Sequence, residues 1–215
     1  MEKVGVIGSG QVGKTLADGF LRHGYQVMRG SRRPELLAEW SDAAGQHALA
    51  GTPAEAAQFG DLCVLAVKGS AAEAALDVCG AENLRGKVVI DATNPIAEGP
   101  PENGVVRYFT TLDGSLMERL QFKVPGARFV KAFSSVGNGQ MVNPDYGDIL
   151  PTMFICGNDN DAKKKVETIL SQFGWETADM GKMEAARAIE PLCMLWCIPG
   201  FLHNQWTHSF KLLTR

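Results

Sequence analysis

Three glycines near the N-terminus have the spacing of a phosphate-binding turn. Gly8, Gly10 and Gly13 follow an apolar run at residues 4–7 in the order Gly-x-Gly-x-x-Gly. This order is typical of a strand that turns tightly into a helix: Gly8 allows the turn, Gly10 lets the backbone approach a pyrophosphate, and Gly13 lets the helix pack on the strand. The helix N-terminus offers unpaired N–H groups to the anion, so the motif predicts a dinucleotide site.

The residues after the glycines favour the same interpretation. Leu16 and Phe20 follow Val12 at helical spacing, and Gly24 stands where a helix C-cap is expected. Residues 25–28 then have the pattern of a second short strand. Strand, turn, helix and strand in fewer than thirty residues is how a dinucleotide-binding fold normally begins.

The end of this second strand carries arginines where many dinucleotide sites carry an acid. An NAD-preferring site usually has Asp or Glu there to hold the ribose 2′-hydroxyl. Residues 29–34 instead are Arg-Gly-Ser-Arg-Arg-Pro, which places Ser31, Arg32 and Arg33 at that point. Guanidinium groups suit phosphate oxygens, and a carboxylate would repel them. The segment therefore favours NADP over NAD, and the alternative interpretation is a solvated basic turn.

Five further runs predict strands, with helical patterns between them. The runs lie at residues 61–67, 87–95, 128–133, 152–157 and 175–181. Strands that alternate with helices predict an α/β protein with a Rossmann-type, doubly wound parallel sheet and a short C-terminal helical cap. We expect residues 1–180 to form an NADP-binding Rossmann domain and residues 181–215 to form a helical cap or dimer segment.

The composition argues against several other classes of protein. The chain has 215 residues, enough for a substantial core, and its formal net charge of −3 leaves no broad basic face for nucleic acid. Its four histidines are scattered, so no metal site is expected, and no Gly-x-Ser-x-Gly motif indicates a hydrolase. Five cysteines without a Cys-x-x-Cys pair are expected to be reduced core residues.

An apolar tail at residues 190–202 allows three interpretations. Its Met and Trp side chains suit a lid over a flat cofactor or substrate, a dimer seam, or plain core, and the first two are compatible. The large apolar side chains are Leu192, Leu195, Trp196, Ile198, Phe201 and Leu202. They form more apolar surface than a small monomer readily exposes, so we expect a homodimer.

The same tail bears on localisation. Residues 191–202 are too few to span a bilayer, Pro199 and Gly200 are expected to break the helix, and no signal segment precedes the first strand. We expect a cytoplasmic protein with no membrane partner. Residues 184–210 are otherwise expected to be helical.

Taken together, five stretches resemble the coenzyme F420-dependent NADP oxidoreductase family, whose dinucleotide domain is similar to the cytosolic domain of the STEAP metalloreductases. The stretches are residues 6–13, 30–33, 91–95, 130–133 and 186–192, and the resemblance covers nearly the whole chain. It implies that residues 9–12 hold the pyrophosphate, that Ser31 and Arg32 hold the 2′-phosphate, and that Val67 and Ala132 face the nicotinamide half.

The cofactor-binding residues expected from the motifs, the polar strand ends and the resemblance form one set. They are Gly8, Ser9, Gly10, Gln11, Val12, Gly13, Ser31, Arg32, Arg33, Val67, Lys68, Asn94, Pro95, Ala132 and Ser134. The resemblance also implies direct hydride transfer between two stacked rings. Such a transfer needs alignment and water exclusion rather than a general acid, so no catalytic side chain is expected.

Three functions are consistent with these features. The leading hypothesis is an NADP(H)-dependent oxidoreductase that exchanges a hydride with F420 or with a flavin, FMN or FAD. The second is an NADPH-dependent reductase of a small carbonyl or imine, and the third is a non-catalytic NADP(H) sensor that reports redox state to a partner. A sensor would expose the apolar tail to its partner, whereas an enzyme would fold it over the nicotinamide.

Overall fold

The computed structural model describes residues 1–214, and its centre is a parallel sheet of six strands. The strands are β1 (Lys3–Ile7), β2 (Gln26–Gly30), β3 (Ala48–Gly51), β4 (Leu62–Leu65), β5 (Val88–Asp91) and β6 (Arg128–Lys131). They lie in the order β3-β2-β1-β4-β5-β6. This order reverses between β1 and β4, which opens a crevice at the carboxyl ends of those strands. The predicted Rossmann-type sheet is confirmed.

One strand of this sheet was not predicted. β3 pairs with β2 along its whole length, from Val27 opposite Ala48 to Gly30 opposite Gly51. Its sequence, Ala-Leu-Ala-Gly, has no β-branched or aromatic residue, so local preference does not indicate a strand. Pairing with β2 at the edge of the sheet determines its conformation.

Within residues 1–214, eight α-helices connect and cover the strands. They are α1 (Gln11–Arg22), α2 (Ala38–Ala44), α3 (Pro53–Phe59), α4 (Ala72–Cys79), α5 (Ala81–Leu84), α6 (Leu116–Lys123), α7 (Asn160–Gln172) and α8 (Ala186–His203). Thr52 and Ser115 begin α3 and α6 with capping boxes, each paired with the glutamate three residues later. These caps satisfy helix N–H groups that would otherwise lack a partner.

The two faces of the sheet carry two separate cores. Alternation along β1 sends Val4 and Val6 to the face that α1 covers, where they join Phe20 and Phe173. Ile7 points to the opposite face, where the buried side chains of α4 and α6 pack. All five cysteines are buried, as expected from the sequence.

The last two predicted strands do not close the main sheet. β7 (Thr152–Ile155) and β8 (Glu176–Asp179) pair with each other in a separate two-stranded parallel sheet. Next to β7, Cys156 forms an antiparallel bridge with Lys131 of the main sheet. Because that bridge is antiparallel, β7 cannot extend the parallel ladder, and the expectation of one continuous sheet was wrong.

The tail helix differs from its prediction in two ways. α8 runs unbroken through Pro191 and Pro199, because buried residues on both sides of each proline hold it against the fold. It ends at His203, since Asn204 adopts a left-handed conformation with φ of 55°, and residues 204–210 are not helical. The chain then returns to β7, where the Thr152 N–H donates to the Phe210 carbonyl at 2.9 Å.

The tail helix is also longer than its apolar stretch. Residues Met183–His203 are long and apolar enough, by length and composition, to cross a membrane, and 39% of the most apolar window is buried in the fold. The length argument against a spanning segment, which rested on residues 191–202 alone, therefore does not hold. Glu190 within this helix is 1% exposed and forms contacts with α6, so the first half of α8 is part of the packed fold.

Candidate functional site

The glycine turn between β1 and α1 has the three properties that its spacing predicts. A Cβ at Gly8, which has φ of 148°, would overlap the Ala66 carbonyl oxygen, and a Cβ at Gly13 would overlap the Gly8 carbonyl oxygen. Gly10 is different, because no heavy atom lies within 4 Å of the place where its Cβ would be. The turn is therefore tight on two sides and open at Gly10, the position at which a ligand can approach the backbone.

A cavity of about 450 Å³ opens at this turn, at the carboxyl ends of β1, β2 and β4. The expected site residues that line it are Gly8, Ser9, Gly10, Ser31, Arg32, Val67 and Lys68. Its opposite wall is apolar and comes from Ala74, Ala75 and Val78 of α4. An apolar slot beside two cations has the shape and charge of a site for a flat ring joined to phosphates.

The remaining expected residues lie beside or behind this cavity. Gln11, Val12 and Gly13 form the first turn of α1, and Arg33 is exposed outside the cavity, with its backbone N–H donating to Ser31 Oγ at 3.1 Å. Asn94, Pro95 and Ser134 follow β5 and β6 at the same edge of the sheet. Ala132 is fully buried in the core and does not line the cavity.

Two polar side-chain atoms just after β5 and β6 have no hydrogen-bond partner among the described residues. Asn94 Nδ2 donates to the Ser134 carbonyl at 2.7 Å, which ties the two strand ends together. Asn94 Oδ1 and Ser134 Oγ are buried and have no hydrogen-bond partner within residues 1–214. Buried polar atoms are nearly always paired in folded proteins, so this acceptor and this hydroxyl are free to bond a polar group of a ligand.

Phe133 shapes this edge with an unfavourable backbone conformation. Its φ is 60°, although its bulky side chain is buried and disfavours the left-handed region. This conformation turns the chain directly after β6, immediately before Ser134. Such outliers cluster at functional sites, and no sequence signal indicates this one.

A buried charge network, which no sequence pattern indicates, lies behind the strand ends. Lys131 is 0% exposed, and its ammonium donates to Asp91 at 2.9 Å, to Glu190 at 3.0 Å and to the Thr93 carbonyl at 2.6 Å. Burial by itself would lower the pKa of Lys131, but the two carboxylates outweigh it and raise that pKa. Lys131 therefore stays charged and joins β6, β5 and α8.

Glu190 extends this network into α6. Its two carboxylate oxygens accept the backbone N–H groups of Leu116 and Met117, each at 3.0 Å. These are unpaired N–H groups of the first turn of α6, where a negative charge is favourable. The Tyr108 hydroxyl donates to the Glu190 carbonyl at 2.7 Å, which holds the segment before α6 against α8.

A second ion pair joins α6 and α8 nearer to the surface. The Arg187 guanidinium donates from Nε and Nη2 to both carboxylate oxygens of Glu118, at distances from 2.6 to 3.2 Å. The hydrogen bonds from Arg187 and Ser115 lower the pKa of Glu118 to about 2. Arg187, Glu190 and Met194 of α8, with Tyr108 and the segment after it, also enclose a cavity of about 320 Å³. One side of α8 therefore packs on α6 and lines this second cavity.

No metal centre accompanies these features. Among residues 1–214, no group of three or more His, Cys, Asp or Glu side chains is arranged to hold a metal ion.

The sheet order and the glycine turn define the class of Rossmann-fold proteins. Residues 3–95 match the family model described as "NADP oxidoreductase coenzyme F420-dependent". The F420-dependent NADP reductase of Methanothermobacter marburgensis is 30% identical over an alignment of 207 residues that covers 90% of each chain. The chain belongs to this family of NADP-dependent oxidoreductases.

Two other proteins extend the comparison. A crystal structure of a candidate F420-dependent NADP-reductase from Arthrobacter sp. FB24 superposes with a TM-score of 0.91, at 30% identity over 100% of both chains. The metalloreductase STEAP3 of Rattus norvegicus is 28% identical over an alignment of 206 residues that covers 93% of this chain but 39% of STEAP3. The chain thus spans well under half of that protein.

Proposed function

We propose that this protein is an NADP(H)-dependent oxidoreductase that transfers a hydride between the nicotinamide and a second ring cofactor, F420 or a flavin. The observation that carries the proposal is the cavity at the glycine turn, which unites the open backbone of Gly10 with the side chains of Ser31 and Arg32. The family to which the chain belongs supports the same chemistry.

The charge of the cavity favours NADP over NAD. Its described lining residues include the cations Arg32 and Lys68 and no Asp or Glu. Ser31 is buried at the end of β2, and its hydroxyl accepts the Arg33 N–H. An anionic 2′-phosphate would meet a hydroxyl and a guanidinium there, whereas the 2′-hydroxyl of NAD would find no carboxylate partner.

The nicotinamide end is assigned to the edge formed by the ends of β5 and β6. Asn94 Oδ1 and Ser134 Oγ are buried there without partners, and a carboxamide has the donors and the acceptor that would satisfy them. When bound, the reduced nicotinamide supplies the hydride. The residues of this chain bind and orient the ring and exclude water, and none is required to move a proton.

The other expectations from the sequence complete this proposal. Residues 1–180 form the NADP-binding unit, and residues 181–215 form a cap that also supplies a homodimer surface in a cytoplasmic enzyme. Support for the cap comes from α8, whose first half packs on α6 through Glu190 while Leu195, Phe201 and Leu202 remain exposed. Two roles for one helix are compatible, because Leu195 and Leu202 lie on a different side of α8 from Glu190.

A turnover panel tests the proposal. The purified protein is supplied with NADPH and, in separate reactions, with F420, FMN, FAD and a set of small carbonyls and imines. We expect loss of the NADPH absorbance with F420 or a flavin, and much slower loss when NADH replaces NADPH. Turnover with carbonyls or imines alone would replace the proposal with the second hypothesis. Tight NADPH binding without any turnover would favour the sensor.

A further inference from the structure

Arg29 is a buried cation beside the glycine turn. It is the fourth residue of β2 and points to the same face of the sheet as Val27, the face that α1 covers. Its side chain is 2% exposed. Arginine is almost never buried to this extent unless it is paired, so the partners of Arg29 need an explanation.

The partners of Arg29 are two backbone carbonyls of the glycine turn. Nη2 donates to the Ser9 carbonyl at 3.0 Å and to the Gly10 carbonyl at 3.3 Å. These carbonyls belong to the two residues at which the turn is most exposed. One guanidinium nitrogen therefore holds both peptide groups of the turn that leads into α1.

The Arg29 guanidinium also packs against the ring of Trp40. Its central carbon lies 4.7 Å from the centroid of the Trp40 ring, a cation–π arrangement. Trp40 Nε1 donates to Asp18 at 2.7 Å, and Asp18 also pairs with Lys14 at 2.7 Å. Arg29 is therefore held in one orientation by residues of α1 and α2.

This arrangement determines where the amide groups of the turn point. In a trans peptide the N–H is directed opposite to the preceding carbonyl, and the described chain has no cis peptide bond. With the Ser9 and Gly10 carbonyls turned to Arg29, the N–H groups of Gly10 and Gln11 are directed away from it. The first N–H of α1 to reach a turn carbonyl is that of Lys14, which donates to Gly10 O at 3.0 Å.

Within the described residues, the Arg29 side chain makes no direct ion pair, and the carboxylate that acts on its charge, that of Asp18, is itself paired with Lys14. Arg29 Nε is buried without a partner, and in the described part of the chain no carboxylate oxygen lies within 4.0 Å of its guanidinium. Ser9 and Gly10 line both the dinucleotide cavity and the groove that contains Arg29 and Trp40, so the turn is a thin wall between them. An anion across this wall would offset a buried cation that lacks an ion pair.

We propose that Arg29 is a positioning residue for the pyrophosphate: it fixes the Ser9 and Gly10 peptide groups so that their neighbouring amides face the anion, and it adds a positive charge behind them. The inference rests on the proposed function, since it requires a dinucleotide at the turn. It assigns Arg29 a different role from Arg32. Arg29 acts on the pyrophosphate, which NADPH and NADH share, and Arg32 acts on the 2′-phosphate, which NADH lacks.

The test compares two Arg29 variants with a matched control. Arg29→Met keeps most of the side-chain volume and removes the charge and the donors, while Arg29→Lys keeps the charge but cannot reproduce the planar fork. Arg128→Met is the control, because Arg128 also donates to a backbone carbonyl, that of Gly86, and also has a buried Nε without a partner. It begins β6, at the opposite edge of the sheet. Each variant is titrated calorimetrically with NADPH, NADH and adenosine 2′-monophosphate, and its thermal unfolding is recorded.

We expect Arg29→Met to weaken the binding of NADPH and of NADH equally, by about tenfold. The affinity for adenosine 2′-monophosphate should not change, because that ligand has no pyrophosphate. Arg29→Lys should recover part of the lost affinity, and Arg128→Met should bind all three ligands as wild type does.

A merely structural role of Arg29 would weaken the binding of all three ligands together and would overturn the inference. So would wild-type affinity in Arg29→Met, or a loss confined to ligands with a 2′-phosphate. Wild-type protein that binds neither dinucleotide would overturn the proposed function as well. Should Arg29→Met fail to fold, unchanged affinities in Arg29→Lys would overturn the inference on their own.

Discussion

Arg32 is the residue on which the proposed cofactor preference depends. Its exposed guanidinium lines the cavity next to Ser31. A charge-assisted hydrogen bond contributes about 1.5–3 kcal/mol, so Arg32→Ala should weaken NADPH binding by roughly 10- to 100-fold. NADH binding should stay nearly unchanged, because NADH has no 2′-phosphate. Isothermal titration of both cofactors measures the difference.

Arg33 supplies the matched control for Arg32. It is the next residue, it is also exposed, and it does not line the cavity. Its structural contact is a backbone N–H donated to Ser31 Oγ, which Arg33→Ala retains. Arg33→Ala should therefore bind NADPH almost as wild type does. Equal losses of affinity for NADPH and for NADH in Arg32→Ala would show that Arg32 does not contact the 2′-phosphate.

Gly10 allows binding to be separated from folding. Its φ of −75° and ψ of −177° suit any residue, and the space beside its Cα is empty. Gly10→Ala should therefore unfold at nearly the wild-type temperature, yet lose most of its affinity for both dinucleotides, because the new methyl group occupies the approach to the backbone. Gly13→Ala is the contrasting variant, since its methyl group would overlap the Gly8 carbonyl and lower the melting temperature. Unimpaired NADPH binding in Gly10→Ala would contradict the placement of the pyrophosphate.

At the scale of elements, the buried network of Lys131 holds α8 against the sheet. Lys131→Met would leave the carboxylates of Asp91 and Glu190 buried next to each other without their cation. Removal of one partner from a buried ion pair typically costs about 3–5 kcal/mol, so we expect the free energy of unfolding in urea to fall by about that amount. Glu190→Gln leaves Lys131 paired with Asp91 and keeps one acceptor oxygen for the α6 amides, while its NH2 group cannot accept the second amide N–H. Its loss of unfolding free energy should still be smaller than that of Lys131→Met, because no buried carboxylate is left without its cation. Similar losses in both variants would argue against a charge-based role.

The ion pair between α6 and α8 should give the fold a specific acid sensitivity. The pKa of Glu118 is lowered from 4.5 to about 2 in the folded protein, so its contribution is fully present above pH ~4.5 and is lost as the pH falls towards 2. Because Arg187 is 41% exposed, solvent screening makes this contribution much smaller than the shift in the pKa of Glu118 alone would suggest.

Glu118→Gln measures this contribution directly. The amide can still serve in the capping box with Ser115, but it cannot carry the charge. The free energies of unfolding of wild type and Glu118→Gln should differ most above pH 5 and converge near pH 2. A difference that does not change with pH would mean that the pair contributes nothing through ionisation.

At the scale of the whole molecule, the exposed side of α8 is the proposed dimer surface. Leu195 is 56% exposed and Leu202 is 51% exposed, whereas Trp196, which the sequence analysis included in this surface, is 7% exposed and stacks on His208. Substitution of Trp196 would therefore disturb the fold rather than test the dimer. We expect the double variant Leu195→Glu, Leu202→Glu to be monomeric by light scattering, with Leu49→Glu on the edge strand as the control. Wild-type protein that is monomeric at micromolar concentration would contradict the proposal.

The sequence predicted those parts of the molecule whose chemistry is local. The spacing of Gly8, Gly10 and Gly13 requires a tight turn whatever lies around it, and the long apolar runs of β4 and β5 indicate buried parallel strands. The glycine turn, the arginine segment and the order of most elements could therefore be predicted. β3 could not, because its Ala-rich sequence has no preference of its own.

Only the tertiary structure decided which distant residues meet. Lys131 and Glu190 are 59 residues apart, and Arg29 reaches carbonyls 19 and 20 residues earlier in the chain. The separation of β7 and β8 from the main sheet and the unbroken α8 follow from packing in the same way. Turn and strand patterns depend on backbone conformation within a few residues, and the sequence alone determined them. Buried charges and buried polar atoms without hydrogen-bond partners depend on which residues the whole chain places around them. No local sequence pattern indicates those surroundings.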